Sequence, residues 1–472
     1  MSTKLKHISH ANTDTRVGDV DSTKLAKEEQ TELVKSLAFS FRENEVESAK
    51  LLLAHIHSAD LADVFELLDV QTRKWLANIL RDDLDPDLLT ELDGQTFEDV
   101  ISVLDTSEIA DAVTSLDMDD AVHVLEEMGS GEQQQEVLEN IGVDDRILIE
   151  QAFKYPLDSA GRMMQRNFIA VPSFWTVAQA IEYLRSDESL SKDFWEVFVV
   201  DPQHHPMGTM PLSWILRSKV DVKISDIMAV EQTLVPVTMD KEEVAYLFRQ
   251  YNLVSAAVVD YAGRLVGMIT VDDIVDVMEE EAEEDILALA GVKEGDVNIS
   301  IGEIARTRFG WLFVNLITAV LASVVISMFG ASIEKLVALA ILMPIVASMG
   351  GNAGTQTMAV TVRALASKEI TPANAHRIVG KEFIVSIING VLLAIVMGVF
   401  AGFWFANPQL GMVIAAAMVI NLGVAGLSGI LVPLGLDKLD IDPAVSSSVF
   451  VTTITDVIGF LAFLGLAALF LV

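Results

Sequence analysis

The sequence predicts a multidomain membrane protein, with an acidic part of helices and α/β repeats followed by a domain of membrane-spanning helices. The first observation is that the 472-residue chain combines a mean hydropathy of +0.42 with a formal net charge of −36. The second is that these properties lie in different regions: residues 309–472 carry a net charge of −1 and residues 1–308 carry the remaining −35. The third is a repeat of about 60 residues inside the acidic part, the size of one small α/β unit.

Composition excludes several classes of function. The chain has no cysteine, which excludes disulfides, thiolate zinc sites and iron–sulfur clusters. The acidic surplus argues against nucleic acid as a partner, because phosphate binding needs Lys and Arg, and it favours cations. The polar start, residues 1–24, lacks the apolar core of a signal peptide, so we expect the acidic part to be cytoplasmic.

An acidic helical N domain is predicted at residues 30–155, after a polar segment at 1–29 that we expect to be disordered. Apolar residues recur in the domain at helical spacing, as in Leu61, Val64 and Phe65. A weak internal echo, in which LAD followed by LD recurs as IAD followed by LD, predicts helix pairs stacked as a short superhelical array.

Two α/β repeats are predicted at residues 156–218 and 219–280. Val171-Pro172 of the first copy recurs as Val235-Pro236 of the second, and the sequence FVVD recurs as AVVD. Each copy has the pattern of a helix, a β-branched strand, a turn, a strand and a helix. The pair resembles tandem CBS domains.

An acidic helix without Pro or Gly in its first turns follows, within residues 271–300. A run of charge is usually a solvated face, but four carboxylates on one face beside a membrane domain suit hard cations that prefer oxygen ligands. The four at matching helical spacing are Asp273, Asp276, Glu280 and Glu284. We expect the acids between the last two spans to meet this helix: Asp437, Asp440 and Asp442.

Five apolar stretches within a membrane domain at 305–472 are each long enough to cross about 30 Å of hydrocarbon. They are predicted at 309–329, 336–362, 383–406, 410–434 and 444–472. Basic residues flank the ends beside the acidic part, and Lys335 alone flanks the opposite ends. The positive-inside rule therefore places the N-terminus in the cytoplasm and the C-terminus outside the cytoplasmic membrane.

Asp456 is the strongest candidate functional residue, because it lies in an otherwise uncharged span. A carboxylate at that depth costs about 2.5–3.5 kcal/mol on insertion scales, and it usually marks an ion path or a proton relay. The alternative is a hydrogen-bonded packing residue. Thr452 and Thr453 add oxygens nearby, although a threonine often bonds to its own helix.

The second span contains Pro344 and three glycines, from which we expect an interrupted helix that lines a polar cavity. Asn352 and Gln356 favour the cavity over close helix packing, the alternative use of small residues. Asn421 of the fourth span could line the same cavity, but packing is an equally good interpretation there.

These motifs resemble the MgtE family of magnesium channels and transporters over nearly the whole chain after residue 30. The motifs that carry the resemblance are YPLDSAGRMM at 155–164, VDDIVDVMEEEAEEDILALAGV at 271–292, PIVASMGGNAGTQTMAV at 344–360 and DPAVSSSVFVTTITDVIG at 442–459. One departure is Ser448-Val449, where family members often carry Gly-Pro, which leaves the kink of the last span open.

The resemblance implies a homodimer in the lipid bilayer with a central Mg²⁺ pore, in which Asp456 selects the ion. Further pore-lining residues would be Asn352, Gly354, Gln356, Asn421, Thr452 and Thr453. The acidic helix would be a plug that links the CBS domains to the pore. Regulatory Mg²⁺ would bind cytoplasmic acids, namely Asp442, Asp273, Asp276, Glu281, Glu284, Asp285, Asp240, Glu242, Asp117 and Asp120.

The predicted function is thus Mg²⁺ uptake that cytoplasmic Mg²⁺ shuts off, without enzymatic activity, and with Co²⁺, Mn²⁺ and Ni²⁺ open as secondary ions. CBS pairs often bind adenine nucleotides, so ATP at Thr270 and Asp273 is a further expectation, beside a plain helix cap. Three alternatives remain at this stage: a membrane enzyme that uses Asp456 and His376, a coupled carrier, and a nucleotide-sensing module on an anion pathway.

Overall fold

The computed structural model describes residues 27–54, 56–92, 94–129, 131–186, 190, 194–292, 301–439 and 441–471. Two compact units divide the chain, one of residues 1–156 with 164–167 and the other of residues 157–163 with 168–472. Most of the segment predicted to be disordered lies outside the described residues, as do residues 293–300 and Asp440. The first helix already begins at Lys27, so the last three residues of that predicted disordered segment are helical.

The first unit is all-α, as predicted. Its buried core includes Leu61, Val64 and Phe65, which confirms the helical spacing in the sequence. The helices follow one another with tight connections, as expected for stacked helix pairs; most have eight to eleven residues, the first has 17 and the fifth has four. They are α1 (Lys27–Glu43), α2 (Val46–Leu53), α3 (Ser58–Leu67), α4 (Val70–Leu80), α5 (Asp87–Thr90), α6 (Gly94–Ile101), α7 (Thr106–Ser115), α8 (Met118–Glu127), α9 (Glu132–Asn140) and α10 (Val143–Ala152).

A buried ion pair joins α4 to α6 in this unit. Arg73 donates to Asp99 at 2.7 Å, and both side chains are almost inaccessible to solvent. The same guanidinium donates to the carbonyl oxygens of Phe65 at 3.0 Å and Leu68 at 3.1 Å, where α3 ends. The pair is therefore fully hydrogen-bonded, which is the condition for a buried charge to be tolerated.

We expect Asp99→Asn to lower the free energy of unfolding of this unit by about 3–5 kcal/mol, because it leaves the Arg73 charge buried without its counter-charge. Lys74→Ala is the matched control. Lys74 also approaches Asp99, at 3.3 Å, but its side chain is 42% exposed, so we expect a loss of less than about 1 kcal/mol. Urea unfolding of a fragment spanning residues 27–167 measures the free energy of unfolding of both variants. Equal losses in the two variants would contradict the buried Arg73–Asp99 pair as the stabilising interaction.

The second unit begins with the two predicted α/β repeats. Each repeat forms a three-stranded sheet in which the first two strands are parallel and the last two antiparallel. An irregularity falls at the same place in both sheets, between Val199 and Val200 and between Val258 and Val259, which confirms the repeat. The elements are β1 (Ala170–Pro172), α11 (Val177–Ser186), β2 (Glu196–Val200), β3 (Pro206–Pro211), α12 (Leu212–Arg217), β4 (Leu234–Pro236), α13 (Lys241–Tyr251), β5 (Ser255–Val259) and β6 (Leu265–Thr270).

The acidic helix α14 (Val271–Leu289) and the membrane helices complete this unit. In the part of the chain that the structure describes, five helices are long and apolar enough to cross a bilayer, as predicted. The bounds are α15 (Ile301–Ser327), the short α16 (Gly330–Lys335), α17 (Ala338–Ala366), α18 (Ala375–Trp404), α19 (Pro408–Asp437) and α20 (Pro443–Phe470). The end of α14 packs into the membrane helices, where Ala288 joins a buried apolar cluster with Met358 and Val362 of α17 and Ala444 of α20.

Candidate ion path and cation-binding junction

Three of the predicted regulatory acids cap helices. Asp240 accepts a hydrogen bond from the backbone N–H of Glu242 at the start of α13, and Asp442 accepts one from Ala444 at the start of α20. Asp273 accepts hydrogen bonds from the backbone N–H and the hydroxyl of Thr270, which together form a capping box at the start of α14. Capping acids are thus placed rigidly at the ends of α13, α14 and α20.

Three acids at the junction of α13, α14 and α20 have raised pKa values, so their charged forms are disfavoured. Burial raises the pKa of Glu281 to about 7, and Glu242 adds to this rise while Lys241 opposes it. Burial also raises the pKa of Asp285, and the charge of Asp442 on α20 raises it further. Glu242 keeps access to solvent, but desolvation by its surroundings and the charge of Asp285 raise its pKa as well. These three carboxyl groups are therefore harder to ionise than exposed ones, first because they are desolvated and then because other acids lie near them.

Lys241 is the principal cation of this junction. Its ammonium group lies 3.2 Å from Glu280, 3.4 Å from Glu281 and 3.4 Å from Asp158. Burial alone would lower the pKa of Lys241, but the charges of Glu280, Glu281 and Asp158 outweigh it and raise the pKa. Lys241 thereby holds α14 against the start of α13. Sequence reasoning missed this residue, although a lysine beside an N-cap aspartate and near an acidic helix was a visible signal.

A cavity of about 600 Å³ opens beside these acids. Its walls come from one face each of α13 and α14 and from the end of α17. The acids Glu242, Glu281 and Asp285 line it, and Arg363 of α17 lines it too. The cavity thus places the junction acids directly against a membrane helix.

The junction does not resemble a site that ligates a metal ion directly. Among the described residues, no group of three or more carboxylates and imidazoles lies close enough to hold one metal ion. Mg²⁺ dehydrates reluctantly and usually keeps several waters, so binding through water is the arrangement these acids can offer. Among the other predicted acids, Asp276 and Glu284 lie exposed on α14, Asp120 is half-buried on α8, and Asp117 accepts a hydrogen bond from Asn167 at 2.9 Å.

Acidification should stabilise the Mg²⁺-free junction. The folded-state pKa of Glu281 lies near 7, above the ordinary value of 4.5, so the folded protein binds more protons than the unfolded one between these values. Stability is then lost as the pH rises through this window. We expect the unfolding temperature without Mg²⁺ to rise from pH 8 to pH 6, and this change to shrink in Glu281→Gln. An identical pH profile for the two proteins would contradict the site.

Asp456 lies on α20, within the span Ser448–Phe470. Its side chain is half-buried, and no hydrogen bond or ion pair joins it to another residue in the part of the chain that the structure describes. Thr452 and Thr453, one turn earlier, donate to the backbone carbonyls of Ser448 and Val449 of their own helix. Asp456 is therefore a carboxylate at membrane depth without a partner among the described residues of its own chain.

The second span is not interrupted, and this prediction was wrong. α17 runs continuously from Ala338 to Ala366 with Pro344 inside it. Gly350 and Gly354 permit close helix packing instead: a Cβ at Gly354 would lie 2.6 Å from the side chain of Val451. Gly354 therefore brings α17 against α20, and Gly350 brings it against Asn421 of α19.

The predicted pore-lining residues divide into two groups. Asn352 and Gln356 are exposed on α17, where they can face a path. Gly354 and Asn421 are buried, and the amide of Asn421 donates to the carbonyl oxygen of Val346 at 2.8 Å. Asn421 therefore does not line an open surface of this chain, which corrects the expectation for this residue.

Among the described residues, five helices are long and apolar enough to span a membrane, and one of them carries the unpaired carboxylate of Asp456. The acidic helix that follows the α/β repeats packs against these helices. The fold is that of a multi-pass membrane protein. Family models agree. Residues 343–466 match the MgtE family, described as a divalent cation transporter, residues 56–158 match the MgtE intracellular N domain, and residues 224–280 match the CBS domain.

The chain is similar to characterised relatives over most of its length. It is 32% identical over 323 residues to the magnesium transporter MgtE of Enterococcus faecalis, covering 68% of this chain and 71% of that one. It is 28% identical over 442 residues to the magnesium transporter MgtE of Bacillus subtilis, covering 93% and 98%. A crystal structure of the cytosolic domain of the Mg²⁺ channel MgtE in complex with ATP matches at 25% identity and a TM-score of 0.48, over 52% of this chain and 99% of that one. The chain belongs to the MgtE family.

Proposed function

We propose that this protein conducts Mg²⁺ into the cell through a path at Asp456, and that Mg²⁺ bound to the acidic junction closes the path. The observation that carries the proposal is the carboxylate of Asp456 at membrane depth, unpaired among the described residues. Such a group is costly in a bilayer and is retained where ions or protons pass. Membership of a family described as divalent cation transporters supports Mg²⁺ as the ion.

The path would bind Mg²⁺ with its water shell largely intact. Mg²⁺ gives up water reluctantly, so carboxylate and amide oxygens would contact its outer waters. In a homodimer with a central axis, Asp456 would come from each subunit, and Asn352 and Gln356 would supply amide groups beside it. Binding of this kind is weak enough to let the ion leave.

Closure would follow from charge at the junction. Burial is the main cause of the raised pKa of Glu242, Glu281 and Asp285, and the charge of neighbouring acids raises each pKa further. Without divalent cations these acids and Asp442 would therefore repel one another. Mg²⁺ between them would draw α14 toward α13 and α20. Because the end of α14 packs on α17 and α20, its position can bias the path. Linkage requires that Mg²⁺ bind the closed state more tightly than the open one.

ATP at the second CBS domain is the remaining proposal for a ligand. The ribose of a nucleotide would have to replace the hydrogen bonds that Thr270 and Asp273 make with each other. ATP binding would then loosen the start of α14.

Two further proposals concern the ions and the orientation of the protein. Co²⁺, Mn²⁺ and Ni²⁺ remain open as secondary ions. The basic residues at the ends of the spans favour an orientation with α14 in the cytoplasm and the C-terminus outside.

Reconstitution tests this function. We expect liposomes that contain the protein, and no internal Mg²⁺, to take up Mg²⁺ faster than protein-free liposomes, as measured with an internal Mg²⁺ indicator. Uptake should persist when sodium and proton gradients are removed, which distinguishes a channel from a coupled carrier. Uptake no faster than in protein-free liposomes would contradict the proposal.

A further inference from the structure

Asn421 is the most deeply buried polar side chain among the described membrane helices that bonds to a different helix. It lies on α19 with no accessible surface. Its amide nitrogen donates to the backbone carbonyl of Val346 on α17 at 2.8 Å. Its amide oxygen is buried and has no hydrogen-bond partner in the described part of the chain. A buried, unpaired oxygen is costly, so the amide is retained in spite of a penalty.

Two glycines enclose this amide from different helices. A Cβ at Gly350 of α17 would lie 2.3 Å from the amide nitrogen of Asn421, and a Cβ at Gly459 of α20 would lie 2.8 Å from it. Neither position can accept a larger residue unless Asn421 moves. The side chain of Asn421 is therefore a point at which α17, α19 and α20 all meet.

This contact lies beside the candidate ion path. Gly350 is two residues before Asn352 on α17, and Gly459 is three residues after Asp456 on α20. Three residues are about one helical turn, so a shift of either helix at the contact displaces its path residue by a similar amount.

We propose that Asn421 is a positioning residue that fixes the spacing between Asp456 and Asn352 across the ion path, and so selects among hydrated divalent cations. This inference rests on the proposed transport function. An apolar side chain of the same size could fill the space, but it has no directional bond to the Val346 carbonyl. The amide adds a directional bond that fixes the rotation and height of α17 relative to α19 at this level.

Two variants test this by different routes. Asn421→Leu removes the hydrogen bond while keeping the branched shape of the side chain, and Gly459→Ala keeps the amide but pushes it aside. The matched control is Ser428→Ala on the same helix. Ser428 is also buried, but its hydroxyl donates to Ala425 within α19, which is a bond inside its own helix. Purified protein would be reconstituted, and Mg²⁺, Mn²⁺ and Co²⁺ uptake measured separately.

We expect both variants to change the ratio of Mg²⁺ to Mn²⁺ uptake by about tenfold and to raise the apparent KM for Mg²⁺, since displacement of a binding group by about 1 Å has effects of this size or larger. Ser428→Ala should keep the wild-type ratio and KM. A merely structural role would lower the yield of folded protein and leave the ratio unchanged. A wild-type ratio of Mg²⁺ to Mn²⁺ uptake in both variants would overturn the inference and leave the transport function standing. If Asn421→Leu does not fold, the result for Gly459→Ala alone tests the inference. Absence of Mg²⁺ uptake by the wild type would instead overturn the proposed function.

Discussion

Replacing Asp456 with asparagine is expected to lower Mg²⁺ uptake about a hundredfold or more. The substitution keeps the shape of the side chain and removes its charge, which is the only charge in the last span. Loss of the carboxylate charge removes its attraction for the cation in surroundings of low dielectric constant. A loss of about 3 kcal/mol corresponds to about a hundredfold, because about 1.4 kcal/mol is a factor of ten. Uptake is measured into liposomes without internal Mg²⁺, so that closure of the path by Mg²⁺ does not contribute to the result.

Two further variants make this result specific. Asp456→Glu keeps the charge and should retain part of the uptake. Asp437→Asn makes the same chemical change at the end of α19, outside the uncharged part of the last span, and should leave uptake near the wild-type value. Equal uptake by the wild type and Asp456→Asn would make Asp456 a packing residue, the alternative that the sequence left open.

Neutralising the two junction acids of α14 is expected to raise the internal Mg²⁺ concentration needed for half-inhibition at least about tenfold, within the usual range of coupling energies. The variant is Glu281→Gln combined with Asp285→Asn. These acids line the cavity against α17, and burial raises the pKa of both. Without these two charges, Mg²⁺ binds the compact, closed junction more weakly, so the path stays open at higher internal Mg²⁺. Liposomes loaded with graded Mg²⁺ measure the shift.

The matched control neutralises Glu279 and Glu283 to glutamine on the same helix. Both side chains are exposed and do not line the cavity. This double variant loses the same formal charge from α14, so it separates local binding at the junction from a general effect of charge. A similar shift in both double variants would count against the junction as the sensing site.

The architecture could be predicted because its signals repeat along the sequence. Spans of about 20 apolar residues can hardly be anything but membrane helices. The α/β repeat was visible because each copy supports the other, as FVVD and AVVD do. The charge division then separated the domains, and Asp456 stood out because a lone carboxylate in an apolar span is rarely retained for helix packing alone.

The details of the site depended on packing, which the sequence does not show. Pro344 and the glycines of α17 suggested an interruption, but the glycines serve close contacts with α19 and α20. For Asn421 the sequence left a polar cavity and helix packing equally open; the residue is buried, and its partner is a backbone carbonyl that no sequence pattern marks. The spacing of acids on α14 favoured the face with Asp276, whereas the cavity lies against Glu281 and Asp285.

The acids that cap helices show the same limit of sequence analysis. Asp240 and Asp442 were selected as possible cation ligands, and each also caps a helix. Local capping is a common reason for an aspartate at such a position. Their place in the junction is set by the tertiary structure. The charge of Asp442 raises the pKa of Asp285 on α14, although the two residues are far apart in sequence.

Cysteine accessibility at position 456 tests the central claim most directly. The chain has no cysteine of its own, so Asp456→Cys introduces a single thiol, and Thr455→Cys provides a fully buried control next to it. A cationic, water-soluble thiol reagent added outside liposomes should modify position 456 when internal Mg²⁺ is absent, and more slowly when internal Mg²⁺ is high. The control position should stay unmodified under both conditions. A thiol at position 456 that does not react in either condition would contradict a water-filled ion path at this residue.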